Sequence, residues 1–88
     1  MKLVFSERAW EDYLYWSRHD GKTHARLNEL IENARRTPFT GIGKPEPLKG
    51  DFAGCWSRHI TGEHRLVCAV EGKGNDRRIV IIQCRFHY

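Results

Sequence analysis

Leu3, Val4 and Phe5 form a short apolar run that stops at Ser6, whose side-chain oxygen can cap a helix, so a brief strand followed by a helix is predicted. From Glu7 onward, Ala9, Trp10, Tyr13, Leu14 and Trp16 recur at three- and four-residue spacing, the signature of one buried helical face, until Asp20-Gly21 breaks the pattern. A second helix follows, with Leu27, Leu30, Ile31 and Ala34 on one face and Arg26, Glu29, Glu32, Arg35 and Arg36 mostly on the other. Thr37 ends it, because the residue before Pro38 is disfavoured in the α region. Both apolar stripes are read as core.

The stretch from Pro38 to Gly54, PFTGIGKPEPLKGDFAG, holds three Pro and four Gly and is predicted as a long loop. Long loops inside small domains are uncommon and tend to be functional. Three strands are predicted beyond it: Cys55 to Thr61, His64 to Glu71, and Arg78 to Arg85, joined by the turn sequences Thr61-Gly62-Glu63 and Gly72 to Asp76. With the N-terminal strand they give an α+β fold over residues 1–88, one domain, of order β-α-α-β-β-β. Its two helices cover one face of a four-stranded, mainly antiparallel sheet.

Composition adds a direction. Fifteen Lys and Arg against eleven Asp and Glu give a formal charge of +4, which makes phosphate polymers suitable partners. Three cysteines without C-x-x-C spacing indicate neither a disulfide framework nor a zinc knuckle, and fit a reducing cytoplasm. The N-terminus becomes charged too early for a secretory segment, and no apolar run reaches the roughly 18 residues needed to cross a bilayer. A soluble cytoplasmic protein without membrane association is expected.

Strand alternation puts Arg65, Val67 and Ala69 on one face of the middle strand and His64, Leu66, Cys68 and Val70 on the other. In the last strand, the wholly apolar set Val80, Ile82, Cys84 and Phe86 is assigned to the helices, which leaves Gln83, Arg85 and His87 on the uncovered face. Antiparallel pairing brings Arg65 near Arg85 and His87. A register opposing Arg65 to Arg85 unites them on one face, whereas a one-residue slip separates them.

In the loop, Pro45 and Pro47 restrict the backbone on either side of Glu46 and limit the directions its carboxylate can take, while Lys44 and Lys49 can meet phosphate. Each residue alone reads as surface or structural. Together, Glu46, Arg65 and His87 suit metal-free RNA cleavage, in which a base deprotonates the 2′-hydroxyl, cations stabilise the phosphorane charge and an acid protonates the leaving 5′-oxygen. No acidic cluster spaced for Mg²⁺ is present in the sequence, so neither a metal nor another cofactor is expected.

Four segments stand in order along the whole chain: KLVFSERAWEDYLYW; RRTPF followed by GKPEPLKG; WSR-I-T leading into EHRLVCAV; and the terminal CRFHY. In these the sequence resembles the Txe/YoeB branch of the RelE superfamily of toxin-antitoxin ribonucleases. The resemblance implies a RelE-like fold and a ribosome-dependent messenger RNA endonuclease that inhibits translation. It implies Glu46 as general base, Arg65 as transition-state stabiliser, His87 as general acid and Tyr88 as an orienting group, with Lys49 and Arg58 contacting phosphate. It further implies a cognate YefM-like antitoxin, operator DNA bound through the antitoxin complex, and a homodimer.

Three positions depart from the family pattern. His59 replaces a frequent second Arg, making one phosphate contact weaker or pH-dependent, Phe86 stands where Tyr is common, and the 72–78 loop is longer than in many relatives. The competing class is a non-catalytic basic module, binding nucleic acid or acting as a co-repressor with an antitoxin. Glu46 separates the two, since a carboxylate opposes phosphate binding unless it has chemistry to perform.

Overall fold

The hydroxyl of Ser6 accepts the Ala9 N–H at 3.0 Å and so starts helix α1 (Glu7–His19) directly behind strand β1 (Lys2–Phe5). The break at Asp20 is a one-residue corner. Its carboxylate accepts the N–H of Thr23 at 3.0 Å and the hydroxyl of Thr23 at 2.8 Å, which satisfies the first turn of helix α2 (Gly21–Arg36). Those donors hold the Asp20 carboxyl below the usual carboxylate range. Leu27, Leu30, Ile31 and Ala34 of α2 are buried, as their spacing predicts.

The computed structural model describes all 88 residues. Beyond the helices come β2 (Glu46–Pro47), β3 (Trp56–His59), β4 (Arg65–Glu71) and β5 (Arg78–Gln83). They form a five-stranded sheet in the order β1-β5-β4-β3-β2, in which β1 runs parallel to β5 and every other pairing is antiparallel. The α+β class with two helices on a mainly antiparallel sheet holds, with one strand added. That strand, β2, comes from the Pro-rich loop: Pro47 has no N–H to donate and is tolerated because β2 is an edge of only two residues.

The last strand departs from simple alternation. Cys68 opposes Ile81 but Val67 opposes Gln83, so Ile82 bulges out without a partner and the side-chain parity reverses there. The residues of β5 that join the helix-side core are therefore Ile79 and Ile81, not Val80 and Ile82, while Cys84, beyond the bulge, joins that core as expected. Gln83 lies on the uncovered face, only 3% exposed. Ser6 fixes the bulge by donating its hydroxyl to the Ile82 carbonyl at 2.7 Å and its N–H to the Ile81 carbonyl at 2.9 Å.

All three cysteines are free thiols. Burial pushes Cys68 up to about 11 and Cys84 up to about 12, so both are small core groups rather than nucleophiles.

Candidate active site

Directly opposed residues of antiparallel strands share a face, so the register locates the site. Glu46 opposes Ser57, Ser57 opposes Val67, and Val67 opposes Gln83; two residues along, His59 opposes Arg65. Leu66, Cys68, Ile79 and Ile81 belong to the core beneath the helices. Glu46, Ser57, His59, Arg65 and Gln83 therefore occupy the opposite, uncovered face. The His59 N–H donates to the Gly43 carbonyl at 2.7 Å, extending β3 past its pairing with β2 and setting Lys44 beside the same cluster.

Arg65 is 8% exposed, and one of its terminal nitrogens donates to the carbonyls of Thr61, Gly62 and His64 at 3.0, 3.2 and 3.1 Å. The β3–β4 turn thus fixes the guanidinium through a single nitrogen. Its Nε and other terminal nitrogen make no hydrogen bond within the chain and remain available to an anion. His59 feels all of these groups. Partial burial, then the Arg65 and Lys44 cations, hold its imidazole below the ordinary range; His87 acts in the same direction and Glu46 opposes them.

The chain terminus is carried onto this face by a series of specific bonds. Where β5 stops, Asp12 accepts the Cys84 N–H at 3.0 Å and the Trp16 indole donates to the Cys84 carbonyl at 2.8 Å, so two α1 side chains one turn apart replace a partner strand. Arg65 N–H then donates to the Phe86 carbonyl at 3.0 Å, and Phe86 N–H donates to His64 Nδ1 at 2.7 Å. Phe86 is in the left-handed region at φ 66°, which turns the last two residues out of the strand path. The Tyr88 hydroxyl comes to 3.4 Å from Ser57 Oγ, beside Glu46 in the register, and its ring lies 5.9 Å from that of Phe52. His87 is exposed, its ring 4.6 Å from that of Tyr88.

The structure thus brings Glu46, His59, Arg65, His87, Tyr88 and Lys44 to one side of the sheet. Lys49 is exposed just past β2, at the start of a single 3₁₀ turn over Gly50–Phe52.

Two expected site residues are placed elsewhere. Arg58 opposes Leu66 and so points under the helices, where it is 0% exposed. Its guanidinium donates to the Asn33 side chain and to the carbonyls of Ile42, Thr37 and Thr40 at 3.1, 2.7 and 2.9 Å. It ties the C-terminal end of α2 to the following loop, and no phosphate can reach it. Arg85 lies past the end of β5 with its guanidinium carbon 3.4 Å above the Tyr15 ring of α1, rather than beside Arg65. The bulge and the capture of Cys84 by α1 take it off the open face.

Asp12, Trp16 and His64 were not singled out from the sequence, although they set the path of the terminus. Asp12 carried the available signal, a carboxylate between Ala9 and Trp16 on an otherwise apolar face. An apolar groove lined by Leu3, Phe5, Trp10, Tyr13, Asn28 and Ile31 lies on the helix side and holds none of the candidate groups. No three His, Cys, Asp or Glu side chains are grouped so that they could hold a metal ion.

Fold and site together define a class: small basic α+β domains that gather acidic, cationic and imidazole groups, partly from their own terminus, on the uncovered face of a sheet. Residues 5–88 match the family model for the YoeB-like toxin of bacterial type II toxin-antitoxin systems, and the chain belongs to that family. It is 54% identical to the toxin YoeB of Escherichia coli (strain K12), with all of both chains covered. A YoeB/ParE toxin structure from Agrobacterium tumefaciens is 58% identical, superimposes with a TM-score of 0.95 and covers all of both chains. The toxin in a heterotetrameric YoeB-YefM toxin-antitoxin complex from Staphylococcus aureus is 42% identical with a TM-score of 0.86, over 100% of this chain and 98% of that one.

Proposed function

We propose that this toxin is a ribosome-dependent messenger RNA endoribonuclease that works without a metal. Glu46 takes the proton of a 2′-hydroxyl, the 2′-oxygen attacks the adjacent phosphorus, and the P–O5′ bond breaks as His87 delivers a proton to the departing 5′-oxygen. The products are a 2′,3′-cyclic phosphate and a free 5′-hydroxyl. Arg65 supplies its unengaged donors to the charge that grows on the phosphoryl oxygens, and a guanidinium already fixed by three carbonyls needs little reorganisation to do so. Tyr88, held near Ser57, orients the substrate or the terminal acid, and Lys44, Lys49 and His59 line the path of the backbone phosphates.

The observation that carries this reading is the convergence of a carboxylate, a fixed guanidinium and the terminal imidazole on one face, around His59. His87 and Glu46 sit exposed, which suits groups that meet their substrate only when a second surface closes over them. The ribosome is the surface in this reading. It holds the message bent so that the 2′-oxygen lies in line with phosphorus, a geometry worth several powers of ten in rate.

A YefM-like antitoxin, by analogy with the Staphylococcus aureus complex, neutralises the toxin. Homodimer formation and operator DNA contact through the antitoxin complex belong to the same reading.

Primer extension on a translated message tests the proposal. The intact protein is expected to produce discrete cuts that require translation, while Glu46→Gln and His87→Gln lower the cleavage rate roughly 10²- to 10⁴-fold with ribosome affinity retained. Parental rates in both variants would remove these two residues from the chemistry, and no cutting by the intact protein would remove the activity itself.

A further inference from the structure

The proposed acid, His87, is one residue from the end of a chain that has already left its sheet, so its position depends on what holds Phe86. Phe86 takes a left-handed backbone, φ 66°, that a non-glycine residue adopts only when its surroundings enforce it. Two bonds do so. Its carbonyl accepts the Arg65 N–H at 3.0 Å, a bond of the kind a strand partner would make, but its own N–H donates to a side chain, His64 Nδ1, at 2.7 Å. His64 is steadied in turn by the Trp16 ring, 4.8 Å away and nearly perpendicular, and Trp16 is the same residue that donates to the Cys84 carbonyl.

We propose that His64 is a positioning residue for the terminal acid: the lone pair on its Nδ1 holds Phe86 in the turn that carries His87 and Tyr88 over the open face. The inference rests on the reading of His87 as the general acid. His64 itself touches no substrate. It stands directly before Arg65 on β4, so one dipeptide supplies both the backbone donor that takes the Phe86 carbonyl and the side-chain acceptor that takes its N–H. Displacing the tail by about one ångström moves His87 out of line with the leaving oxygen, which costs on the order of 10² in rate.

The role assigns the work to one atom, which makes it separable from packing. Asparagine carries Oδ1 on the same γ carbon that bears Nδ1 in histidine, so His64→Asn keeps the acceptor and loses the ring. His64→Phe keeps a ring against Trp16 and loses the acceptor. A role in the core alone predicts that Phe is the milder change; the positioning role predicts that Asn is.

The experiment uses the full-length protein with translating ribosomes and measures kcat and KM for cleavage in the parent and both variants, with thermal melts confirming that each is folded. Expected are a fall of about 10²-fold in kcat for His64→Phe with KM near the parental value, and recovery to within about tenfold in His64→Asn. His64→Leu replaces the phenyl variant if that ring unfolds the chain. Amide hydrogen exchange at Phe86 is read in parallel on the free protein, with slow exchange expected in the parent and His64→Asn and fast exchange in His64→Phe.

Parental kcat in His64→Phe, or His64→Asn as impaired as His64→Phe, overturns the proposal. If the parent cleaves no message, the nuclease reading fails separately and the Phe86 exchange rates still decide whether His64 holds the tail, equal rates in parent and His64→Phe counting against it.

Discussion

Replacing Arg58 by Met tests whether this guanidinium is a structural tie, because the substitution keeps much of the side-chain volume and removes every donor. The wild-type group is 0% exposed and makes four hydrogen bonds, none to a carboxylate, and burial pushes its pKa below the ordinary guanidinium value. A hydrogen bond to a charged group nets about 1.5–3 kcal/mol, and an acceptor stranded in the interior costs about 1–3 kcal/mol. The four are not additive, and the carbonyls of Thr37, Thr40 and Ile42 can regain water because their residues are exposed. Asn33 Oδ1 keeps the Ile42 N–H at 3.1 Å, so the loss comes from the charged bonds themselves, and those to Asn33 and to the Thr37 carbonyl, at about 1.5–3 kcal/mol each, give about 3–5 kcal/mol. At about 4–8 °C per kcal/mol for a domain of this size, Tm should fall by roughly 12–40 °C, followed by circular dichroism with a urea titration alongside. A phosphate contact would behave differently, leaving Tm within a few degrees and reducing the salt dependence of ribosome binding by about one counterion. That second outcome would refute the structural role.

Two further perturbations address the loop and the pH response. Gly43→Ala should cost about 1–3 kcal/mol in a urea titration, since the backbone is at φ 82° and the new Cβ would lie 2.6 Å from Leu30 Cδ2 and 3.1 Å from Arg58 Cβ; an unchanged midpoint would contradict this. His59 is held below its ordinary value, so at neutral pH it is mainly the uncharged imidazole, and it gains the charge that attracts phosphate only as pH falls. Ribosome affinity at fixed salt should therefore rise as pH drops from about 7 toward 5, and His59→Arg should bind more tightly at pH 7 with a flatter profile; identical profiles in parent and variant would exclude His59 from the phosphate path.

The helices were legible in the sequence because their signals are local. Ser6 caps α1, the apolar stripe of α2 is buried, and Thr37-Pro38 closes it, each decided within a few residues. The sheet was legible in order but not in detail. A two-residue edge strand made of Glu46 and Pro47 cannot be told from a loop, since Pro normally argues against a strand and only the partner Ser57-Trp56 reveals the pairing. Alternation failed in β5 because one unpaired residue, Ile82, reverses every face beyond it. Arg58 was misplaced for a related reason. A cation on a basic strand reads as surface, and what neutralises its burial is a set of backbone carbonyls 16 to 21 residues away in sequence, together with Asn33.

The bulge that defeated alternation is also what delivers the chain's end to the site. Without it, continuing the Cys68–Ile81 register would set Gln83 beside Leu66 in the core and Cys84 on the open face, a polar amide buried and an apolar thiol exposed. Inserting Ile82 lets Ile79, Ile81 and Cys84 all face the core and leaves Gln83 on the other side. Ser6 holds that inserted residue by its carbonyl while capping α1, and α1 then presents Asp12 and Trp16 to Cys84 and Arg8 to the Arg85 carbonyl at 3.4 Å. The terminal His87 is thus positioned through contacts between the first helix and the last residues, the most distant segments of the sequence. It follows that the terminal residues reach the open face only after β1, α1 and β5 have docked, and that an opening of α1 from the sheet too small to unfold β3 and β4 is enough to release them.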